Sequence, residues 1–191
     1  MFGVLKTAAL AAAFSLLALP AKAAVLLTVD VSDPSMVTFT ATGAASEADA
    51  ATDSVEGFSL LDFFTSTRSL GIGTITGTLT SVQGDAPVTN ASAFSLNTAL
   101  NLYDGFDTGS FVFEAGETAF SGSVTLDLSA FADLLPAAGS MGRIAIGSSF
   151  RTGPFGSGFG DYLVVNTVPL PAAAPLMVLG LIGLRTMRRR A

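Results

Sequence analysis

Hydrophobic positions along this chain alternate in short runs bounded by turn residues, a period of two that marks strands. Residues 24–31 read A-V-L-L-T-V-D-V and residues 36–42 read M-V-T-F-T-A-T, with S-D-P-S between them as a turn signal. Residues 43–56 are small and acidic and read as a loop, whereas residues 58–65, F-S-L-L-D-F-F-T, suit a core strand. Residues 69–82 predict a strand with Leu70, Ile72, Thr74 and Thr76 on one face and a bend or bulge near Gly77. Residues 93–103 alternate through Phe94, Leu96, Leu100 and Leu102. Residues 110–113 and 118–128 flank E-A-G-E, a predicted four-residue hairpin loop. Residues 129–135 predict one short helical turn ending before Pro136. Residues 143–150 and 162–166 close the pattern around a glycine-rich loop at 152–160. About eight to ten short strands at this spacing predict an all-β, antiparallel β-sandwich or jelly-roll-like ectodomain.

The two ends break this pattern. Residues 1–23 have the form of a secretory signal peptide, with Lys6 in the n-region and an apolar run at 7–19. Pro20 ends that run, and Ala21-Lys22-Ala23 forms an A-x-A cleavage site. The mature chain is predicted to start at Ala24; an uncleaved N-terminal anchor is the competing reading. At the other end, residues 168–184 form an uncharged run of 17 residues, interrupted by prolines at its start. As a helix it would measure about 25 Å, the lower limit for spanning a hydrocarbon core. Arg185, Arg188, Arg189 and Arg190 follow it. Basic clusters beside apolar spans stay on the cytoplasmic side, so the predicted topology is N-terminus out and C-terminus in. A plain C-terminal anchor and a processed signal both fit these residues.

The order V-P-L-P-A at 168–172, a short apolar run, and arginines at the C-terminus resembles the VPLPA-CTERM sorting signal, a variant of the PEP-CTERM class of Gram-negative bacteria. The resemblance covers about 24 of the 191 residues. It implies recognition by an exosortase, an integral-membrane cysteine protease or transpeptidase. That enzyme would cleave at or near the motif and pass the protein to the cell surface or the medium. By position, Val168, Pro169, Leu170, Pro171 and Ala172 would be the recognised peptide, and Arg188, Arg189 and Arg190 the retention signal. Proteins of this class occur in bacteria that make exopolysaccharide and biofilm matrix. The implied partners are the export machinery, an exosortase, the inner membrane during sorting, and exopolysaccharide.

With both ends removed, residues 24–167 carry three arginines, no lysine and all fifteen carboxylates, a net charge of −12. Such a domain repels nucleic acid and anionic lipid, and its length suits one domain with a sizeable core. The whole chain has no cysteine and no histidine. Disulfides, Ser-His-Asp and Cys-His catalysis, and zinc sites built on His or Cys are thereby excluded. No Walker loop is present, and Gly71, Gly73 and Gly77 lie in a predicted strand without a following helix. Asp104 and Asp107, in Y-D-G-F-D-T-G, are the best candidate calcium ligands, with a solvated turn as the alternative. Glu47, Asp49 and Asp53 read as solvated loop carboxylates. Sugar platforms use exposed aromatics, and the chain has no Trp and only Tyr103 and Tyr162, so the phenylalanines read as core. Tyr103 beside Asp104 is the candidate sugar site. The sequence thus predicts a non-enzymatic exported surface or matrix protein, with a calcium- or polysaccharide-binding module as the alternative. Nothing in it singles out a carboxylate pair for glycan hydrolysis.

Overall fold

A computed structural model describes residues 23–68, 70–72, 75–93, 96–105, 109–146 and 155–167. Outside them lie residues 1–22, including Ala21 of the expected cleavage site, Asp107, the expected motif Val168, Pro169, Leu170, Pro171 and Ala172, and Arg185, Arg188, Arg189 and Arg190. Among the described residues no helix is long and apolar enough to cross a membrane.

The domain is all-β. Strands β1 (Val25–Asp30) and β2 (Val37–Ala41) pair antiparallel about a 3-10 turn at Pro34–Met36. They are followed by β3 (Ala50–Asp53), β4 (Phe58–Leu60), β5 (Leu70–Ile72), β6 (Thr76–Gly77) and β7 (Thr80–Ser81). Next come β8 (Asn90–Ala93), β9 (Leu100–Tyr103), β10 (Ser110–Phe113), β11 (Phe120–Ser121) and β12 (Ser123–Leu126). A second 3-10 turn, Ser129–Leu134, precedes β13 (Met141–Ile146) and β14 (Gly158–Val165). Ten strands form one sheet in the order β5-β8-β9-β4-β13-β14-β1-β2-β12-β6. Two ribbons, β10–β3 and β11–β7, stand apart from it in the hydrogen-bonding pattern and pack against it.

Several strands follow the hydrophobic alternation closely. In β1 and β2, Leu27, Val29, Val37 and Phe39 are buried while Thr28, Thr38 and Thr40 are less so. The turn between them is built by Asp33, whose carboxylate accepts from Ser35 N at 2.9 Å and Ser35 Oγ at 2.7 Å. The same Asp-x-Ser arrangement recurs at Asp127, which accepts from Ser129 N and Oγ and opens the second 3-10 turn. At Asp30 the Ser32 backbone N–H donates at 2.9 Å. These are Asx turns, in which the side chain replaces a backbone acceptor.

Elsewhere the structure corrects the reading. The sheet is not purely antiparallel, because β1 runs parallel to β14 from Val25↔Asp161 to Asp30↔Val165. The acidic stretch read as a loop contains β3, which pairs with β10. The E-A-G-E turn closes as predicted, with Glu117 N donating to Glu114 O at 3.0 Å, but its flanking strands do not pair. Instead β10 joins β3, and β12 joins β2. The run at 58–65 is strand only to Leu60, since Asp62 adopts a left-handed φ of 54° and turns the chain. Phe63 and Phe64 still enter the core. In the run at 93–103 only Ala93, the end of β8, and β9 are strand among the described residues, and β8 and β9 pair antiparallel. Part of the glycine-rich segment, from Gly158, is the start of β14.

Phenylalanines hold the ribbons to the sheet. Phe58 of β4 lies 4.9 Å from Phe120 and 5.5 Å from Phe111 between ring centroids. Phe113 of β10 stacks on Phe159 of β14 at 4.1 Å. Among the described residues nine phenylalanines are buried, each removing a large apolar surface from water. With no disulfide available, this cluster is the main cross-link between the layers.

Candidate functional site

The sequence-predicted calcium residue Asp104 follows β9 and is fully buried. Its carboxylate accepts from Thr89 Oγ1 at 2.8 Å, and its own N–H donates to Ser54 O at 2.8 Å. Thr89 Oγ1 in turn accepts from Gly105 N at 3.0 Å and Asn90 Nδ2 at 3.1 Å. A buried carboxylate needs such partners, and here they tie the turn after β9 to β8. Asp104 is thus directed inward in the described contacts. Among the described residues no group of three or more acidic side chains converges as a metal cage. Tyr162 is no sugar platform: it is buried, its ring 5.9 Å from Phe63 and its hydroxyl donating to Leu61 O. Tyr103, opposite Asn90 in the β8–β9 pair, is half-buried.

The loop carboxylates lie at exposed positions, as expected, and also accept hydrogen bonds. Asp49 accepts from Ala115 N at 2.8 Å and Asp53 from Glu56 N at 2.8 Å. Glu47 does the most. Its backbone N–H donates to Phe159 O at 2.9 Å, which fixes it against the start of β14. Its Oε1 accepts from the backbone N–H of Ala24, and its Oε2 lies 3.4 Å from Arg143 Nη1. Arg143 sits directly across from Asp161 in the β13–β14 pair, with Nη1 3.6 Å from Asp161 Oδ1. Opposite charges facing each other across strands stabilise the pairing modestly. Arg143 Nη2 also donates to Gly158 O at 3.0 Å.

The charges in this cluster do not balance: one guanidinium serves two carboxylates. Asp161 Oδ1 is buried and has no hydrogen-bond partner, because 3.6 Å is an ion-pair distance and too long for a hydrogen bond. Burial holds the Asp161 carboxyl above its usual range and the Glu47 charge adds to this, while Arg143 pulls the other way. Sequence spacing could not reveal the cluster, since Glu47, Arg143 and Asp161 come from three separate segments.

A second polar feature crosses the sheet. Ser59 of β4 donates to Asn101 Oδ1 of β9 at 3.0 Å, and Ser92 of β8 stands opposite Asn101. All three are buried, and Asn101 Nδ2 and Ser92 Oγ have no hydrogen-bond partner. This row lies on the face of β4 opposite Phe58 and Leu60, because successive side chains of a strand alternate.

The two ends of the domain are placed by the parallel β1–β14 pair. Ala24 O accepts from Asp161 N at 2.8 Å, beside the beginning of β1. Thr167 N lies 3.4 Å from Asp30 Oδ1, beside the end of β1, and Thr167 Oγ1 donates to Asp30 Oδ2. The chain therefore enters and leaves on adjacent strands, at opposite ends of them, separated by about 17 Å of strand. No protein-family model, curated protein or solved structure matches this chain.

Proposed function

We propose that this chain is an exported, non-enzymatic surface or matrix protein, sorted by an exosortase at residues 168–172. Its β-domain would be the delivered part, serving a structural or adhesive role in biofilm or exopolysaccharide. The sorting motif followed by an apolar run and terminal arginines carries this reading. Two further observations agree with it. The last strand, β14, ends at Val165, and Thr167, tied to Asp30, stands immediately before Val168, so the sorting peptide lies beyond the end of that strand. The chain also lacks histidine and cysteine, and several described carboxylates accept hydrogen bonds within turns or pair with Arg143 or Arg68. The packing of two ribbons over a large sheet supports a sandwich-like description of the delivered domain.

The intact mass of the protein from cells and from medium tests this, with and without the three terminal arginines. A surface or medium form lacking residues 1–23 and ending near Ala172 is expected. Added mass at the new C-terminus would identify an attached group. A form that keeps Arg190 and stays in the inner membrane overturns the sorting reading and makes the tail a permanent anchor.

A further inference from the structure

We propose that Glu47, Arg143 and Asp161 form a binding site for the mature chain's own α-ammonium group, created on Ala24 by cleavage after Ala23. The inference rests on the reading of residues 1–23 as a removable leader.

The geometry is already set for it. Ala24 is gripped from both sides: its carbonyl accepts from Asp161 N at 2.8 Å, and its nitrogen donates to Glu47 Oε1. Before cleavage that nitrogen is a peptide N–H with one hydrogen and no charge. After cleavage it is an amine with an ordinary pKa of about 7.7–8.0, hence mostly an ammonium at pH 7, with three donors. The cluster has an unmatched negative charge and a buried carboxylate oxygen, Asp161 Oδ1, with no hydrogen-bond partner. An ammonium at Ala24 makes two cations for two carboxylates. Cleavage at any neighbouring bond would leave the charge displaced along the chain or remove the residue that β14 holds. Peptide hydrolysis here consumes one water and leaves a carboxylate on Ala23 in the departing leader and the amine on Ala24. The domain would consequently gain stability only once it has been released from the leader.

The sequence offers a clean test. Its only lysines are Lys6 and Lys22, so a chain starting at Ala24 has one primary amine. The full chain is exported from its own leader in a Gram-negative host and its intact mass is measured. It is then treated with an amine-acylating reagent across a range of pH, folded and in urea. A start at Ala24 is expected, with acylation about fivefold slower in the folded protein near pH 8, as a one-unit rise in an amine pKa of about 8 requires. The midpoint of the rate profile separates the proposal from simple burial. Pairing with carboxylates moves it above about 8, whereas burial alone would move it down. Glu47→Gln should bring the folded rate to within about twofold of the urea rate. A midpoint at or below the urea value overturns the site and needs no variant, so it decides even if Glu47→Gln fails to fold. Unchanged protection in a folded Glu47→Gln variant also overturns it. A mass showing residues 1–23 retained, or a different start, overturns the leader reading itself and is distinguished by the mass alone.

Discussion

Tyr162 reaches from β14 to the carbonyl of Leu61, 101 positions earlier, and donates a 2.8 Å hydrogen bond from within the core. That bond holds the turn after β4 against the strand that carries Asp161. Burial, with the Asp62 charge nearby, pushes the phenol well above its ordinary range, so it remains a donor. Tyr162→Phe keeps the packing against Phe63 and deletes the donor, leaving the Leu61 carbonyl without it. A loss of about 1–2 kcal/mol is expected, read as a melting temperature lower by several degrees. An unchanged melting curve would show that water replaces the hydroxyl at no cost.

Phe113 is the aromatic hinge between ribbon and sheet, stacked on Phe159 at 4.1 Å and 5.0 Å from Phe120. Phe113→Ala should cost about 3–5 kcal/mol, a large part of the stability of a domain this size. Urea denaturation measures it, and Phe113→Leu should recover more than half. If Phe113→Ala costs no more than an exposed substitution, the ribbon does not depend on this stack.

Gly57 and Gly43 both adopt positive φ, 63° and 78°, but only Gly57 is crowded. A Cβ there would stand 2.1 Å from Leu102 O and 2.6 Å from Tyr103 Cβ, whereas at Gly43 nothing lies within 4 Å. Gly43→Ala should therefore cost only the left-handed strain of about 1–2 kcal/mol. Gly57→Ala adds a backbone collision where β4 meets β9 and should cost several times more, or prevent folding. Equal melting temperatures for the two variants would contradict the close β4–β9 approach.

Asp33 and Asp127 are both held below the usual carboxyl range, first by the hydroxyl and then by the backbone N–H of Ser35 and Ser129. Lowered folded values mean that their contribution is present above the unfolded value of about 3.9 and is lost as pH falls through the folded values. The melting temperature should therefore fall more steeply below about pH 4, and Asp33→Asn with Asp127→Asn should flatten that fall. Asp161 runs the other way: its raised value favours the folded state below the ordinary carboxyl range, and this is lost as pH rises through the folded value. A double variant with an unaltered acid limb would place the acid sensitivity elsewhere.

The sequence by itself determined what each short segment buries and where it turns. Alternation in β1 and β2, the Asp33-Pro34 turn and the burial of the phenylalanines follow from side-chain chemistry acting over two to four residues. Only the tertiary structure decided which segments became neighbours. A strand's pattern names its buried face but not its partner, because the ladder is made of backbone groups common to every residue. So the parallel β1–β14 pair, the recruitment of residues 50–53 from the acidic stretch into β3, and the separation of β10 from β12 could not be read in advance. The same holds for Glu47, Arg143 and Asp161. Each is an ordinary charged residue in its own segment, and their meeting beside Ala24 depends on β13, β14 and β1 lying side by side.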